Sequence, residues 1–160
     1  MHPDGRLVFQ GRVMRCALGR GGVRADKQEG DGATPIGVLP LRRVLYRADR
    51  HAIPRAAAPR EPIAATDGWC DDPGHADYNR QVTLPHPARH EELWRRDALY
   101  DIVGVLGWND APVRQDRGSA IFLHVARPDF GPTEGCVALA LADLQSLLAE
   151  GVSALRVLPG

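Results

Sequence analysis

A histidine and a cysteine in the last third of the chain are the residues best suited to chemistry. His124 closes the apolar run that starts at Ser119, and Cys136 follows Gly135 in the segment Thr133-Glu-Gly-Cys-Val137. Cysteine attacks as its thiolate, and a nearby imidazole is the usual base that removes the thiol proton. Gly135 would let the backbone approach a reacting carbonyl closely. The pattern favours cysteine nucleophilic catalysis; the alternative is a core histidine and an inert buried cysteine.

Mostly strands would position these two residues. Short apolar runs bounded by Gly, Pro, Asn and Asp are typical of strands. They predict strands over residues 6–9, 12–18, 38–41, 81–84, 100–108, 119–126 and 154–158, with residues 52–62 as a proline-rich surface loop. The expected fold class is therefore mainly β (α+β), in a single domain over residues 1–160.

One or two short helices complete the prediction. Residues 140–150 carry leucines at helical spacing and end before Gly151, which predicts a helix packed beside Cys136. A second short helix is predicted over residues 90–98, with Leu93 and Trp94 on its inward face.

Residues 67–80 are the second stretch rich in chemical groups. Mixed cysteine, aspartate and histidine side chains there lack the spacing of a metal site, so we expect neither a metal nor another cofactor. Asp71 and Asp72 make Cys70 a poor nucleophile, because neighbouring carboxylates raise a thiol pKa. We predict a long loop with substrate-facing polar groups, and its candidate substrate contacts are Tyr78, Asn79 and Arg80.

Charge and cysteine content restrict the class of protein and its compartment. The 20 basic residues equal the 20 acidic ones, which indicates neither nucleic-acid binding nor attraction to an anionic membrane. No signal-peptide pattern and no run of roughly 20 apolar residues is present. Three cysteines without repeated spacing fit free thiols in a reducing compartment. The sequence predicts a cytoplasmic protein, with a periplasmic location as the alternative, and predicts no oligomeric state.

The order of three motifs carries a family resemblance. Thr34-Pro35-x-Gly37, then His124, then Thr133-x-Gly135-Cys136-Val137 resembles the L,D-transpeptidase catalytic (YkuD-type) domain over roughly residues 7–158. The resemblance implies a β-sandwich-like fold and cysteine acyl transfer on peptidoglycan stem peptides. It implies Cys136 as the nucleophile and His124 as the general base. Gly135 and its neighbours would donate backbone N–H groups to the oxyanion.

Three positions depart from the family pattern. Thr133-Glu134 stand where the family commonly has Ser-His, so these two residues are expected to shape the substrate pocket, with Glu134 repelling a carboxylate or binding an amine. Ala138 replaces a common arginine, whose role Arg80 or Arg127 would have to take. Val125 follows the histidine in place of a small residue, and a backbone carbonyl would still orient the imidazole.

The resemblance leaves the acyl acceptor open. Water would give an L,D-carboxypeptidase that releases the terminal D-alanine of tetrapeptides, and a second stem peptide would give a crosslinking L,D-transpeptidase. The predicted cytoplasmic location favours the carboxypeptidase, acting on free tetrapeptides or muropeptides during peptidoglycan recycling. Two further hypotheses are a non-catalytic module that binds stem peptides and a metal-dependent peptidase.

Overall fold

The protein consists of thirteen strands and one helix in a computed structural model that describes residues 1–160. The elements are β1 (Arg6–Phe9), β2 (Arg12–Ala17), β3 (Val23–Arg24), β4 (Thr34–Pro35), β5 (Gly37–Tyr46), β6 (Arg60–Pro62), β7 (Asp67–Cys70), β8 (Arg80–Thr83), β9 (His90–Glu92), β10 (Ile102–Leu106), β11 (Phe122–Val125), β12 (Val137–Leu139), α1 (Leu141–Ala149) and β13 (Ala154–Val157). The predicted mainly β class is confirmed. No helix has the length and apolar character needed to cross a membrane.

The main sheet brings the histidine and the cysteine together. Its strands follow the order β1-β2-β12-β11-β10-β5-β13, and β6 pairs with the end of β5. β11 and β12 are parallel neighbours, with Leu123 opposite Val137 and His124 opposite Ala138. Cys136 immediately precedes β12, so it lies next to the start of the strand that pairs with the histidine strand.

The two faces of the main sheet pack against different layers. Successive side chains of a strand point to opposite faces. One face of β11 and β12 packs against the fully buried leucines of α1, namely Leu144, Leu147 and Leu148. Phe122 and Cys136 belong to the other core, together with Trp69 of β7. The three-stranded sheet β8-β7-β9 therefore covers the face that carries Cys136.

The structure corrects four predictions about local elements. α1 confirms the helix predicted over residues 140–150, but it packs on the face of the sheet opposite to Cys136. The helix predicted over residues 90–98 is wrong, because residues 90–92 pair with β7 and this long-range pairing outweighs local helix preference. Part of the loop predicted over residues 67–80 is strand β7, and the end of the loop predicted over residues 52–62 is strand β6.

Candidate active site

His124 and Cys136 line one cavity of about 220 Å³. It lies on the face of the main sheet that the three-stranded sheet β8-β7-β9 covers. Both residues are buried, with 6% and 8% of their surface exposed. The strand β11 delivers the histidine, and the turn before β12 delivers the cysteine. The arrangement therefore offers a thiol and an imidazole to a substrate that enters one small cavity.

The Cys136 thiol is held by two backbone groups of the neighbouring segment. Sγ donates to the Ala120 carbonyl oxygen over 3.2 Å and accepts the Phe122 N–H over 3.4 Å. Burial raises the pKa of Cys136 to about 12, and the nearby Glu91 carboxyl contributes to this rise. The Phe122 N–H opposes the shift only in part. The resting thiol is therefore protonated and needs a base.

The imidazole of His124 is oriented and neutral. Its Nδ1 lies 2.9 Å from the Val125 carbonyl oxygen, which accepts the Nδ1 proton. That hydrogen bond leaves the lone pair on Nε2. Burial lowers the pKa of His124 to about 4, although the contact with the Val125 carbonyl opposes the shift. The larger Val125 side chain thus does not prevent the backbone from orienting the imidazole, and Nε2 is free to accept a proton.

The turn before Cys136 requires glycine and presents one backbone donor. Gly135 has a φ of +130°, and a Cβ there would lie 2.8 Å from the Ala33 carbonyl oxygen. Its own N–H donates to Thr133 Oγ1 over 3.2 Å, and this hydroxyl donates to the Cys136 carbonyl over 2.7 Å. The Cys136 N–H has no acceptor within the protein. It is therefore the donor available to an oxyanion.

The threonine of the Thr34-Pro35-x-Gly37 motif supports the same turn. Thr34 Oγ1 donates to the Cys136 carbonyl oxygen over 3.3 Å and accepts the Gly19 N–H over 2.9 Å. Thr34 is fully buried, so both hydrogen bonds are shielded from water. The motif, which is distant in sequence, thus ties the β3–β4 region to the backbone of the candidate nucleophile.

The predicted substrate contacts occupy three kinds of position. Thr133 and Glu134 line the cavity, and the exposed Glu134 carboxylate pairs with Arg20 over 2.7 Å. Arg80 lies on a separate depression of the surface. Tyr78 and Asn79 are buried behind the cavity wall and do not line it.

Asn79 holds the segment that binds the thiol. Its Oδ1 accepts the Ala120 N–H over 3.1 Å and the Trp69 Nε1–H over 3.0 Å. Its Nδ2 donates to the carbonyl oxygens of Trp108 and Asn109, each over 2.9 Å. Because the Ala120 carbonyl accepts the Cys136 thiol proton, Asn79 positions the candidate nucleophile through one intervening residue.

Several charged residues of the cavity were missed by the sequence interpretation. Glu91 accepts the Tyr100 hydroxyl over 2.5 Å, and the Tyr100 ring meets His124 edge-on with centroids 5.3 Å apart. Burial raises the pKa of Glu91. Glu29 and Arg95 of the lining were also missed. Asp71 and Arg127 line the cavity as well, and the sequence interpretation had named Arg127 as a substitute for the family arginine. Glu91 and Arg95 were hidden in the predicted helix, and no spacing pattern connects these residues.

One cluster of potential metal ligands lies outside the cavity. His75, Asp77 and His86 bring one ligand atom each to within 4.8 Å of the others. The Nδ1 atoms of His75 and His86 already accept the backbone N–H groups of Asp77 and Ala88. His86 Nε2 and the Asp77 carboxylate form a contact of 3.3 Å. Hydrogen bonds within the protein therefore account for the cluster.

Comparison with known proteins gave one result. The family model described as the L,D-transpeptidase catalytic domain (YkuD) matches residues 2–151, which is nearly the whole chain. No curated protein and no solved structure matches the chain. The matched range contains both cavity residues His124 and Cys136, together with the Thr34 motif.

Proposed function

The chain belongs to the L,D-transpeptidase catalytic domain family, and we propose that it is a cysteine L,D-carboxypeptidase of peptidoglycan tetrapeptides. In this proposal it cleaves the bond between the L-attached diamino acid and the terminal D-alanine. The observation that carries the proposal is the cavity that holds the Cys136 thiol, the neutral His124 imidazole and the unbonded Cys136 N–H. These are the nucleophile, base and oxyanion donor that acyl transfer requires.

The proposed reaction starts from two neutral groups. His124 Nε2 takes the thiol proton of Cys136 as sulfur attacks the carbonyl carbon of the diamino acid. The Cys136 N–H then stabilises the oxyanion, a contribution worth about 3 kcal/mol for one donor in other acyl-transfer enzymes. As the tetrahedral intermediate collapses, Nε2 returns the proton to the D-alanine nitrogen and a thioester forms. Water, deprotonated by His124, hydrolyses the thioester and regenerates the thiol.

The size of the cavity supports water as the acyl acceptor. Its volume of about 220 Å³ lies below the range of roughly 300–1,000 Å³ that is common for ligand pockets. A cavity needs only about 10–15 Å³ of such space to hold one water molecule, whereas a second stem peptide must bring an entire side chain to the thioester. Water therefore needs less of this space than a second stem peptide does, and this favours hydrolysis in the proposal.

Crosslinking is the second candidate function, and a specific observation favours it. The carboxylates of Glu29 and Asp71 line the cavity and would attract the ammonium group of an acceptor diamino acid. An L,D-transpeptidase would use that amine in place of water to resolve the thioester. The same carboxylates would equally attract the side-chain ammonium group of the donor peptide.

Product analysis separates the candidates. Purified protein would be incubated with a disaccharide tetrapeptide, and the products analysed by mass spectrometry. Hydrolysis predicts disaccharide tripeptide and free alanine, whereas transpeptidation predicts crosslinked dimers. Cys136→Ala is the matched control and should give neither product. Binding of the tetrapeptide without turnover by the wild-type protein would instead support a binding module and contradict the enzymatic proposal.

We also propose that the enzyme acts in the cytoplasm on fragments recovered from the wall. Cys16, Cys70 and Cys136 are all free thiols, as is usual in a reducing compartment. Cell fractionation with an antibody against the protein tests the location. Recovery in the periplasmic fraction would contradict this part of the proposal.

A further inference from the structure

The cavity lining contains an arginine that forms no ion pair within the protein. Arg127 follows β11 and lines the cavity together with His124. None of the ion pairs in the structure includes its guanidinium group. The other arginine of the lining, Arg95, is bound by both carboxylate oxygens of Asp97 at 2.9 and 2.7 Å. Arg127 is therefore the lining arginine that is free to accept an anionic ligand group.

Arg127 lies at the end of the cavity that His124 forms, which we call the histidine end. The backbone pairing of β11 with β12 continues one residue beyond the strand, because the Ala126 N–H donates to the Leu139 carbonyl over 2.7 Å. Arg127 is the next residue, and it lies close enough to contribute to the lowered pKa of His124, after burial and Arg95. Ala138, opposite His124 in the register, adds only a methyl group to the wall. The free positive charge at this end therefore comes from Arg127.

The proposed reaction determines which part of the substrate occupies that end. His124 must protonate the leaving nitrogen, so the leaving residue lies on the His124 side of the scissile carbonyl. In a tetrapeptide this residue is the terminal D-alanine, whose α-carboxylate is two bonds from the nitrogen. A guanidinium group is well suited to a carboxylate, because its N–H groups bind both oxygens at once.

We propose that Arg127 binds the α-carboxylate of the leaving residue and thereby makes the enzyme specific for the C-terminal residue of the stem peptide. This inference rests on the proposed carboxypeptidase function and adds its substrate rule. A peptide whose last residue is amidated, or extended by another residue, has no carboxylate at this position. It should therefore be cleaved more slowly than the free acid, chiefly through a higher KM.

Steady-state kinetics on a matched pair of substrates tests the rule. The disaccharide tetrapeptide and its C-terminal amide would be compared with wild type, Arg127→Gln and Arg127→Lys. Arg96→Gln is the matched control, since Arg96 forms no ion pair and lies outside the cavity lining. A charged hydrogen bond is worth roughly 1.5–3 kcal/mol, so Arg127→Gln should lower kcat/KM for the acid by about 10- to 150-fold. Arg127→Lys should recover part of this loss.

The acid-to-amide preference identifies the cause of any loss. Wild type and Arg96→Gln should prefer the acid, whereas Arg127→Gln should cleave acid and amide at similar rates. An unchanged acid-to-amide ratio in Arg127→Gln would overturn the inference while wild-type turnover still upheld the carboxypeptidase. If wild type cleaves neither peptide, the proposed function fails, and calorimetry decides the Arg127 contact separately. If Cys136→Ala then bound the acid and the amide with equal affinity, the proposed contact between Arg127 and the carboxylate would be overturned. If Cys136→Ala bound the acid more tightly, and Arg127→Gln removed this preference, the contact would be supported.

Discussion

Replacing His124 by glutamine should make the free energy of unfolding fall much less as the pH is lowered. The folded protein keeps this imidazole buried and lowers its pKa to about 4, compared with about 6.5 when unfolded. A group whose pKa is lower in the folded than in the unfolded protein contributes stability at pH values above its pKa in the unfolded protein. That stabilisation is lost as the pH falls toward the folded pKa, because the unfolded chain takes up the proton first. Linkage gives a loss of about 2 kcal/mol between pH 7 and 5, and about 3 kcal/mol by pH 4.

Urea unfolding at pH 7 and pH 5 measures this difference. The free energy of unfolding would be determined for wild type, His124→Gln and His90→Gln, the last as a control for the loss of an imidazole elsewhere. Between the two pH values, wild type should lose about 2 kcal/mol more than His124→Gln, with similar m-values. The comparison between variants cancels the contributions of the other titrating groups.

Two outcomes would contradict a buried, neutral His124 imidazole. Equal losses in wild type and His124→Gln would mean that burial does not keep the imidazole neutral. If the wild type instead gained stability relative to His124→Gln between pH 7 and pH 5, the pKa of His124 would be raised in the folded protein. A preformed thiolate–imidazolium pair would have this effect. Either result would replace the neutral starting state of the proposed mechanism.

Three further predictions concern the turn, its support and the thiol. Gly135→Ala should abolish turnover, because the new Cβ would lie 2.8 Å from the Ala33 carbonyl oxygen; normal kinetics in this variant would contradict the requirement for glycine. Asn79→Ala should cost about 1–3 kcal/mol in urea unfolding and lower kcat, since it leaves the half-buried Ala120 N–H and the buried Trp69 Nε1–H without their acceptor. An unchanged kcat would remove its positioning role. Iodoacetamide should alkylate Cys136 slowly at pH 7, where a pKa of about 12 leaves roughly 10⁻⁵ of the thiol ionised. Mass spectrometry that shows labelling as fast as that of free cysteine would contradict this pKa.

The sequence was most informative where local pattern and function coincide. The apolar run ending at His124 predicted strand β11, and the Gly135-Cys136 pair predicted a tight turn. Strand β12 was not predicted, and its parallel pairing with β11 brings His124 and Cys136 into one cavity. The leucines of residues 140–150 predicted α1, since one helix carries its own periodicity. The helix packs on the face of the main sheet opposite to Cys136, and this depends on how side chains alternate in β12. The leucine pattern of the helix contains no information about that alternation.

Other parts of the cavity depend on contacts that are distant in the sequence. Glu91 reaches the cavity because β9 pairs with β7, a long-range contact that a local helical pattern concealed. Asn79 was predicted to touch substrate, yet its hydrogen bonds go to residues 10 to 41 positions away. Arg127 was named as a possible substitute for the family arginine, but only the absence of an ion pair distinguishes it from Arg95.

Trapping of the acyl-enzyme shows whether Cys136 is the nucleophile. Wild-type protein would be mixed with the disaccharide tetrapeptide, quenched in acid within the first turnovers, digested and analysed by mass spectrometry. We expect an adduct of disaccharide tripeptide, attached as a hydroxylamine-sensitive thioester to the peptide that contains Cys136. Cys136→Ala should show neither adduct nor alanine release. Full turnover by Cys136→Ala, or an adduct on another residue, would contradict the assignment of Cys136 as the nucleophile.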